Sequence, residues 1–257
     1  MMLRNGRFGT YSLCGALGLV LLVTACTTAP VSGRRQLILV SPEQSTALGV
    51  EAYQQIKQQT PIVRGTQEAR MVERVGAAIS KVVEGAEGFE WEFTLFRDET
   101  PNAFALPGGK VGVNTGLFDV AKTEAQLAAV LGHEIGHVMA RHSAERMSRD
   151  MATQLGLSVL GAATQSQEMV GLVSNAATLG VSLPFNRSQE SESDRIGLIY
   201  MAKAGYDPRA AVDLWANFAA VGGERPPKFL STHPLPEDRI ERIKQHLPEA
   251  LAFYKGN

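Results

Sequence analysis

His133-Glu134-Ile135-Gly136-His137 lies inside a run of helical periodicity from Lys122 to about Arg149, and no other feature of the 257-residue chain restricts its fold so strongly. On a helix turning about 100° per residue, His137 stands about 40° from His133, and Glu134 about 60° from His137. All three side chains therefore project from one sector. Two imidazoles one helical turn apart reach a single zinc ion, while the carboxylate between them faces the ion's water as general base. The motif alone also fits a helix carrying two unrelated histidines. His142 lies about 180° round the same continuous helix, so it is expected to point away from the metal, as a surface or second-layer polar residue.

A third ligand must come from elsewhere, and Glu190-Ser-Glu-Ser-Asp194 offers one. Glu190 and Asp194 share a helix face, whereas Glu192 sits about 200° from Glu190 and faces the other way. Two histidines and a glutamate with one position open form the ligand set of catalytic zinc. Asp194 is then placed to accept a proton from the outer nitrogen of a ligating histidine. By composition alone the same stretch also reads as a solvated charge cluster.

With 25 Lys+Arg dispersed against 26 Asp+Glu and a net charge of -1, the chain lacks a basic surface for nucleic acid, and no nucleic-acid partner is expected. Both cysteines, Cys14 and Cys26, fall near the N-terminus. Arg4 and Arg7 precede an uncharged stretch from Phe8 to Ala25 whose apolar heart spans 15–23, which is an export-signal pattern. Val23-Thr24-Ala25-Cys26 resembles the lipobox of bacterial lipoproteins, so Cys26 is expected to carry the lipid, with Thr27 after it favouring the outer membrane. The expected divisions are a signal peptide over 1–25, lipidated Cys26 and a polar tether over 26–36, and one domain over 37–257.

Within that domain, Ser41-Pro42-Glu43-Gln44 predicts a helix start, and a second helix follows over about 66–84. Residues 90–97 alternate Trp91, Phe93 and Leu95 against Glu92 and Thr94, as a strand does. A hairpin over 104–113 turns at Pro107-Gly108-Gly109. Buried or loosely packed helices are expected over 151–183, then helices near 189–204, 208–220 and 237–246.

LAAVLGHEIGHVMARHSAER (127–146), NRSQESESDRIGLIYMAKAGYDP (186–208), PNAFALPGGKVGVNTGL (101–117) and FLSTHPLPEDRIERI (229–243) together resemble the zinc metallopeptidase family of the CAAX prenyl protease, HtpX and BepA. A short chain with a lipobox, no later membrane stretch and no tetratricopeptide tail is most similar to the LoiP-type branch. The resemblance implies a mostly helical α+β fold with a small sheet, zincin-like (gluzincin), and one Zn(2+) per chain held by His133, His137 and Glu190. It implies Glu134 as base, Asp194 as support, and His233 at the cleft, either stabilising the oxyanion or taking the open metal position in a resting state. Ser193 departs from the small Ala usual before the aspartate, a change expected to be harmless.

The activity so implied is endopeptidase cleavage of unfolded or misassembled envelope proteins by zinc-activated water. Substrate would pair as a strand along Asn102, Ala103, Phe104 and Ala105. The protein would face the periplasm from its lipid anchor, with outer-membrane assembly machinery or other proteases as partners. The alternative is a lipoprotein chaperone or adaptor whose metal is structural. Such a site wants a fourth Cys or His, and none lies nearby in sequence.

Overall fold

The structure is a computed structural model, and it describes residues 26–29, 32–164, 186–221, 228–233 and 238–256. The signal-peptide stretch and residues 165–183 of the segment expected over 151–183 therefore lie outside the described residues. Strands β1 (Cys26–Thr28) and β2 (Arg35–Leu37) pair as an antiparallel hairpin. A polar tether was expected here. Instead Gln36 and Ala29 are buried, because Arg34 at the hairpin's turn end binds carboxylates of the domain.

Helix α1 (Pro42–Gln59) starts as the sequence predicts: Ser41 and Gln44 form a reciprocal capping box and Pro42 occupies the first turn. Strand β3 (Ile62–Val63) and helix α2 (Gln67–Ser80), capped by Thr66, follow. Then come β4 (Glu92–Phe96), β5 (Ala103–Leu106) and β6 (Lys110–Asn114). The sheet order is β3-β4-β6-β5, with β4 and β6 parallel and the other neighbours antiparallel, so β5 forms an edge. Thr94, expected on the polar side of its strand, is buried. α1 covers that side, and the Tyr53 hydroxyl donates to the Val111 carbonyl at 3.1 Å and lies 2.7 Å from the Thr94 hydroxyl.

The motif lies on α3 (Glu124–Met139), whose N-cap Thr123 accepts from the Gln126 amide. α3 is buried on nearly all sides, because α2, β5, α5 (Arg187–Lys203) and α6 (Ala210–Ala220) surround it. α4 (His142–Thr164) is a separate helix, so the continuous helix expected from 122 to 149 is broken. The break falls at Arg141, the one non-glycine residue with positive φ (59°) among those described. A left-handed residue costs about 1–2 kcal/mol. The Arg141 guanidinium, donating to the Val40 carbonyl at 3.0 Å, helps hold the turn there. Beyond it, Met151 and Leu155 on α4 are exposed rather than buried.

Two short helical pieces complete the chain, α7 (Lys228–Thr232) and α8 (Arg239–Leu251). The most extensive helix contact is between α3 and α5. Their main chains touch at Gly132 and Gly197: a Cβ on Gly132 would lie 2.7 Å from the Gly197 carbonyl oxygen, and one on Gly197 would lie 2.6 Å from the His133 nitrogen. Only glycine permits that approach, which brings Glu190 opposite the motif. Among the described residues no helix is long and apolar enough to cross a membrane.

Candidate metal centre

α5 is capped by Asn186, whose side chain accepts from the Ser188 and Gln189 amides, so the helix includes Glu190 in its first turn. That cap sets the helical phase. Glu190 and Asp194 turn toward α3, and Glu192 turns toward α4 and the N-terminal hairpin. Both faces are buried, so the stretch is no solvated charge cluster.

His133, His137, Glu190 and His233 converge, with one ligand-type atom from each lying within 4.8 Å of the others. His133 Nε2 and His137 Nε2 are 3.0 Å apart, and His137 Nε2 is 3.3 Å from Glu190 Oε1. His133 Nε2 is 3.6 Å from Glu190 Oε2 and 3.2 Å from His233 Nδ1, which in turn is 3.1 Å from Glu190 Oε1. Ligands bound tetrahedrally at zinc distances are separated by about 3.3 Å. The spacing fits that ion.

Proton placement fits it too. His133 Nδ1 lies 2.9 Å from Asp194 Oδ1, so the proton of that ring is donated there and Nε2 is left as a bare lone pair. Bare nitrogens pointing at one another repel unless a cation lies among them. Burial pushes the His137 imidazole well below its ordinary pKa, which keeps it in the neutral form that ligates. Burial alone would raise the Glu190 carboxyl, but the His137 and His233 imidazoles against it and the Arg239 charge hold it far below the usual range. Asp194 is likewise lowered: the Arg239 charge and the His133 hydrogen bond outweigh its burial.

Glu134 stands beside this group without belonging to it. Burial raises its pKa, against the opposing pull of His233 and the backbone N–H of Ala105. Its Oε1 lies 3.2 Å from His233 Nε2. Ala105 belongs to the edge strand β5, whereas the Phe104 ring turns away onto Tyr53 and Phe96, and the Asn102 carbonyl accepts from the Asn114 amide of β6. Ala103 is buried.

His233 follows α7 and is buried, its ring stacked on Phe229 with centroids 4.5 Å apart. It supplies the fourth donor that was not found nearby in sequence. Burial opposes its protonation, yet the facing carboxylates Glu134 and Glu190 raise its pKa on balance. Ser193 is more than a tolerated departure, because its hydroxyl donates to the His133 carbonyl.

Two residues were missed or misplaced from sequence. His142 does not point away: the break at Arg141 swings it inward, fully buried, with its Nδ1 2.8 Å from His137 Nδ1, so of the two places expected for it the layer behind the ligands holds and the surface does not. Arg239 was not singled out, although it lies in the 229–243 motif. It is fully buried, with its guanidinium 3.5 Å from the Trp215 ring centroid, 2.6 Å from Glu190 Oε2 and 2.9 Å from Asp194 Oδ1.

The sequence profile of Peptidase family M48 matches residues 66–247. The chain is 37% identical over 231 residues to the mitochondrial metalloendopeptidase OMA1 of Schizosaccharomyces pombe, covering 86% of this chain and 66% of that protein. It is 33% identical over 226 residues to a putative beta-barrel assembly-enhancing protease of Vibrio cholerae, covering 82% of this chain and 46% of that one. The Escherichia coli beta-barrel assembly-enhancing protease is 30% identical over 225 residues, with 83% and 46% covered. The chain thus spans about half to two thirds of these relatives' lengths. With the profile covering most of the chain and the HExxH helix, Glu190 and His233 all inside it, the chain belongs to peptidase family M48 and carries its metallopeptidase domain.

Proposed function

We propose that this protein is a lipid-anchored zinc metalloendopeptidase that cleaves unfolded or misassembled proteins of a bacterial envelope. The observation that carries the activity is Glu134, a buried carboxylate beside a four-donor group to which it contributes no ligand. A structural metal site has no use for such a group. A hydrolase needs one.

His133, His137 and Glu190 would hold the zinc. Zinc supplies Lewis acidity, making water acidic enough to lose a proton near neutral pH and drawing electron density from a carbonyl. Glu134 accepts the water's proton and returns one to the leaving amine, and its raised pKa makes it a stronger base than a surface carboxylate. Asp194 and Arg239 fix the His133 ring. His233, within contact distance of both His133 and Glu190, would complete the donor set. Ala105 and its neighbours on the β5 edge bind the substrate main chain as an added strand, which accepts many sequences and suits unfolded clients. The names of the assembly-enhancing relatives support clients in beta-barrel assembly. The anchor rests on Cys26 and the leader before it.

The test is Glu134→Gln, assayed for bound zinc and for cleavage of an unfolded protein. Zinc should stay at parent level while the rate falls at least about 10²-fold, the loss of general-base help. Full activity in that variant refutes the mechanism, and a zinc-loaded parent that cleaves nothing unfolded returns the protein to the adaptor reading. For the anchor, Cys26→Ala should leave the membrane fraction and lose acyl labelling, and unchanged labelling removes the lipoprotein claim.

A further inference from the structure

The face of α5 that turns away from the four-donor group is tied to the N-terminal hairpin. Arg34, between β1 and β2, donates from Nε to Glu192 Oε2 at 2.8 Å, and from its two terminal nitrogens to Glu145 Oε1 at 2.9 Å and Oε2 at 2.7 Å. Ser32 donates to the other Glu192 oxygen. Gln189 Nε2 donates to Glu145 Oε2 at 2.8 Å. Both carboxylates are buried. Glu192 Oε2 also lies 3.2 Å from His142 Nε2, and His142 Nδ1 lies 2.8 Å from His137 Nδ1.

Two ring nitrogens 2.8 Å apart share one proton, and the rest of the chain decides on which side it sits. To ligate, His137 must leave Nε2 bare and carry its proton on Nδ1. His142 must then accept at Nδ1 and hold its own proton on Nε2, which is the nitrogen facing Glu192. That tautomer is favoured only while Glu192 stays an acceptor in this position, and Arg34 and Ser32 keep it there.

We propose that Arg34 is a positioning residue of the metal centre: acting through Glu192 and His142, the hairpin that follows Cys26 fixes the tautomer and orientation of His137. This rests on the reading of His137 as a zinc ligand. The segment that would join the anchor to the domain is then part of the site's support, and displacing the hairpin loosens the metal. Outer partners of metal ligands typically contribute about 10–100-fold to affinity.

The full chain is titrated with zinc against a chromophoric chelator, and its cobalt(II) form is read by visible absorption. Arg34→Met should weaken zinc binding about 10-fold or more and shift the cobalt spectrum. Ser32→Ala should do so less, and Arg34→Lys should recover part of the affinity. In a His142→Phe background, Arg34→Met should add nothing, because the two residues act along one path. A hairpin that merely braces the fold lowers the melting temperature of the metal-free chain and leaves affinity and spectrum alone. That result for Arg34→Met, or for Ser32→Ala and Arg34→Lys should Arg34→Met not fold, overturns the proposal, as does full additivity with His142→Phe. Equal zinc content in the parent and in His137→Ala overturns the ligand reading first and this proposal with it.

Discussion

The two faces of α5 repeat one device in different surroundings. On one, Arg239 spans Glu190 and Asp194 beside His133; on the other, Arg34 spans Glu192 and Glu145 beside His142. Arg239 is sealed under Trp215 with no exposed side chain, and it touches a metal-ligand candidate directly. The Arg34 side chain keeps 24% of its surface in water and reaches the same group only through two intermediaries. Removing a desolvated charge strands its partners, whereas removing a half-solvated one lets water replace part of what is lost. One pairing is therefore nearly irreplaceable and the other adjustable.

The largest expected effect comes from Arg239→Met, which leaves Glu190 and Asp194 buried without a counter-charge. It should cost about 3–5 kcal/mol of stability and most of the bound zinc. A melting temperature within a degree or two of the parent's would erase the contrast between the faces. Next, Glu190→Ala should lose most of the zinc, while Glu192→Ala should retain it at saturating metal and only bind less tightly. Equal losses would mean that the helical phase of α5 does not separate ligand from support.

The smallest effect is a pH dependence on the Arg34 side. Burial acts to raise the Glu145 carboxyl, but hydrogen bonds from Arg34 and Gln189 prevail and lower it from its ordinary 4.5. With the folded value depressed, the stabilisation is fully present above pH 4.5 and is lost as the pH falls through the folded value. Melting of the metal-free chain from about pH 6 to about pH 3 should therefore fall more steeply for the parent than for Glu145→Gln. Parallel curves would show that this pairing contributes nothing.

What was legible in the sequence is what repeats locally. The Ser41 capping box, the β5–β6 hairpin and the HExxH helix each declare themselves within a few residues, and the phase between Glu190 and Glu192 follows from helix geometry alone. The break after Met139 was not legible, because no Gly or Pro marks it and a contact with the distant Val40 helps hold Arg141 in its turn. His142 was misplaced as a direct consequence. Arg34 and Arg239 escaped notice for a related reason: nothing beside an arginine in sequence tells which remote carboxylates it will join. The polar stretch after Cys26 has the composition of a tether, and only its distant carboxylate partners reveal a docked hairpin.

The contact between Gly132 and Gly197 acts as the fulcrum of a lever. His133 sits next to the pivot, while Glu190 rides about 10 Å along α5 from it. A tilt of α5 by about 6° about that point moves the Glu190 carboxylate by about 1 Å, a displacement that can cost an enzyme about 10² in rate. Side chains at the pivot would give such a tilt room through rotamer changes; main chain against main chain gives none. The precision of the far end is thus inherited from covalent geometry at the near one, and a single methyl group added at the fulcrum would be read out, magnified, at the metal.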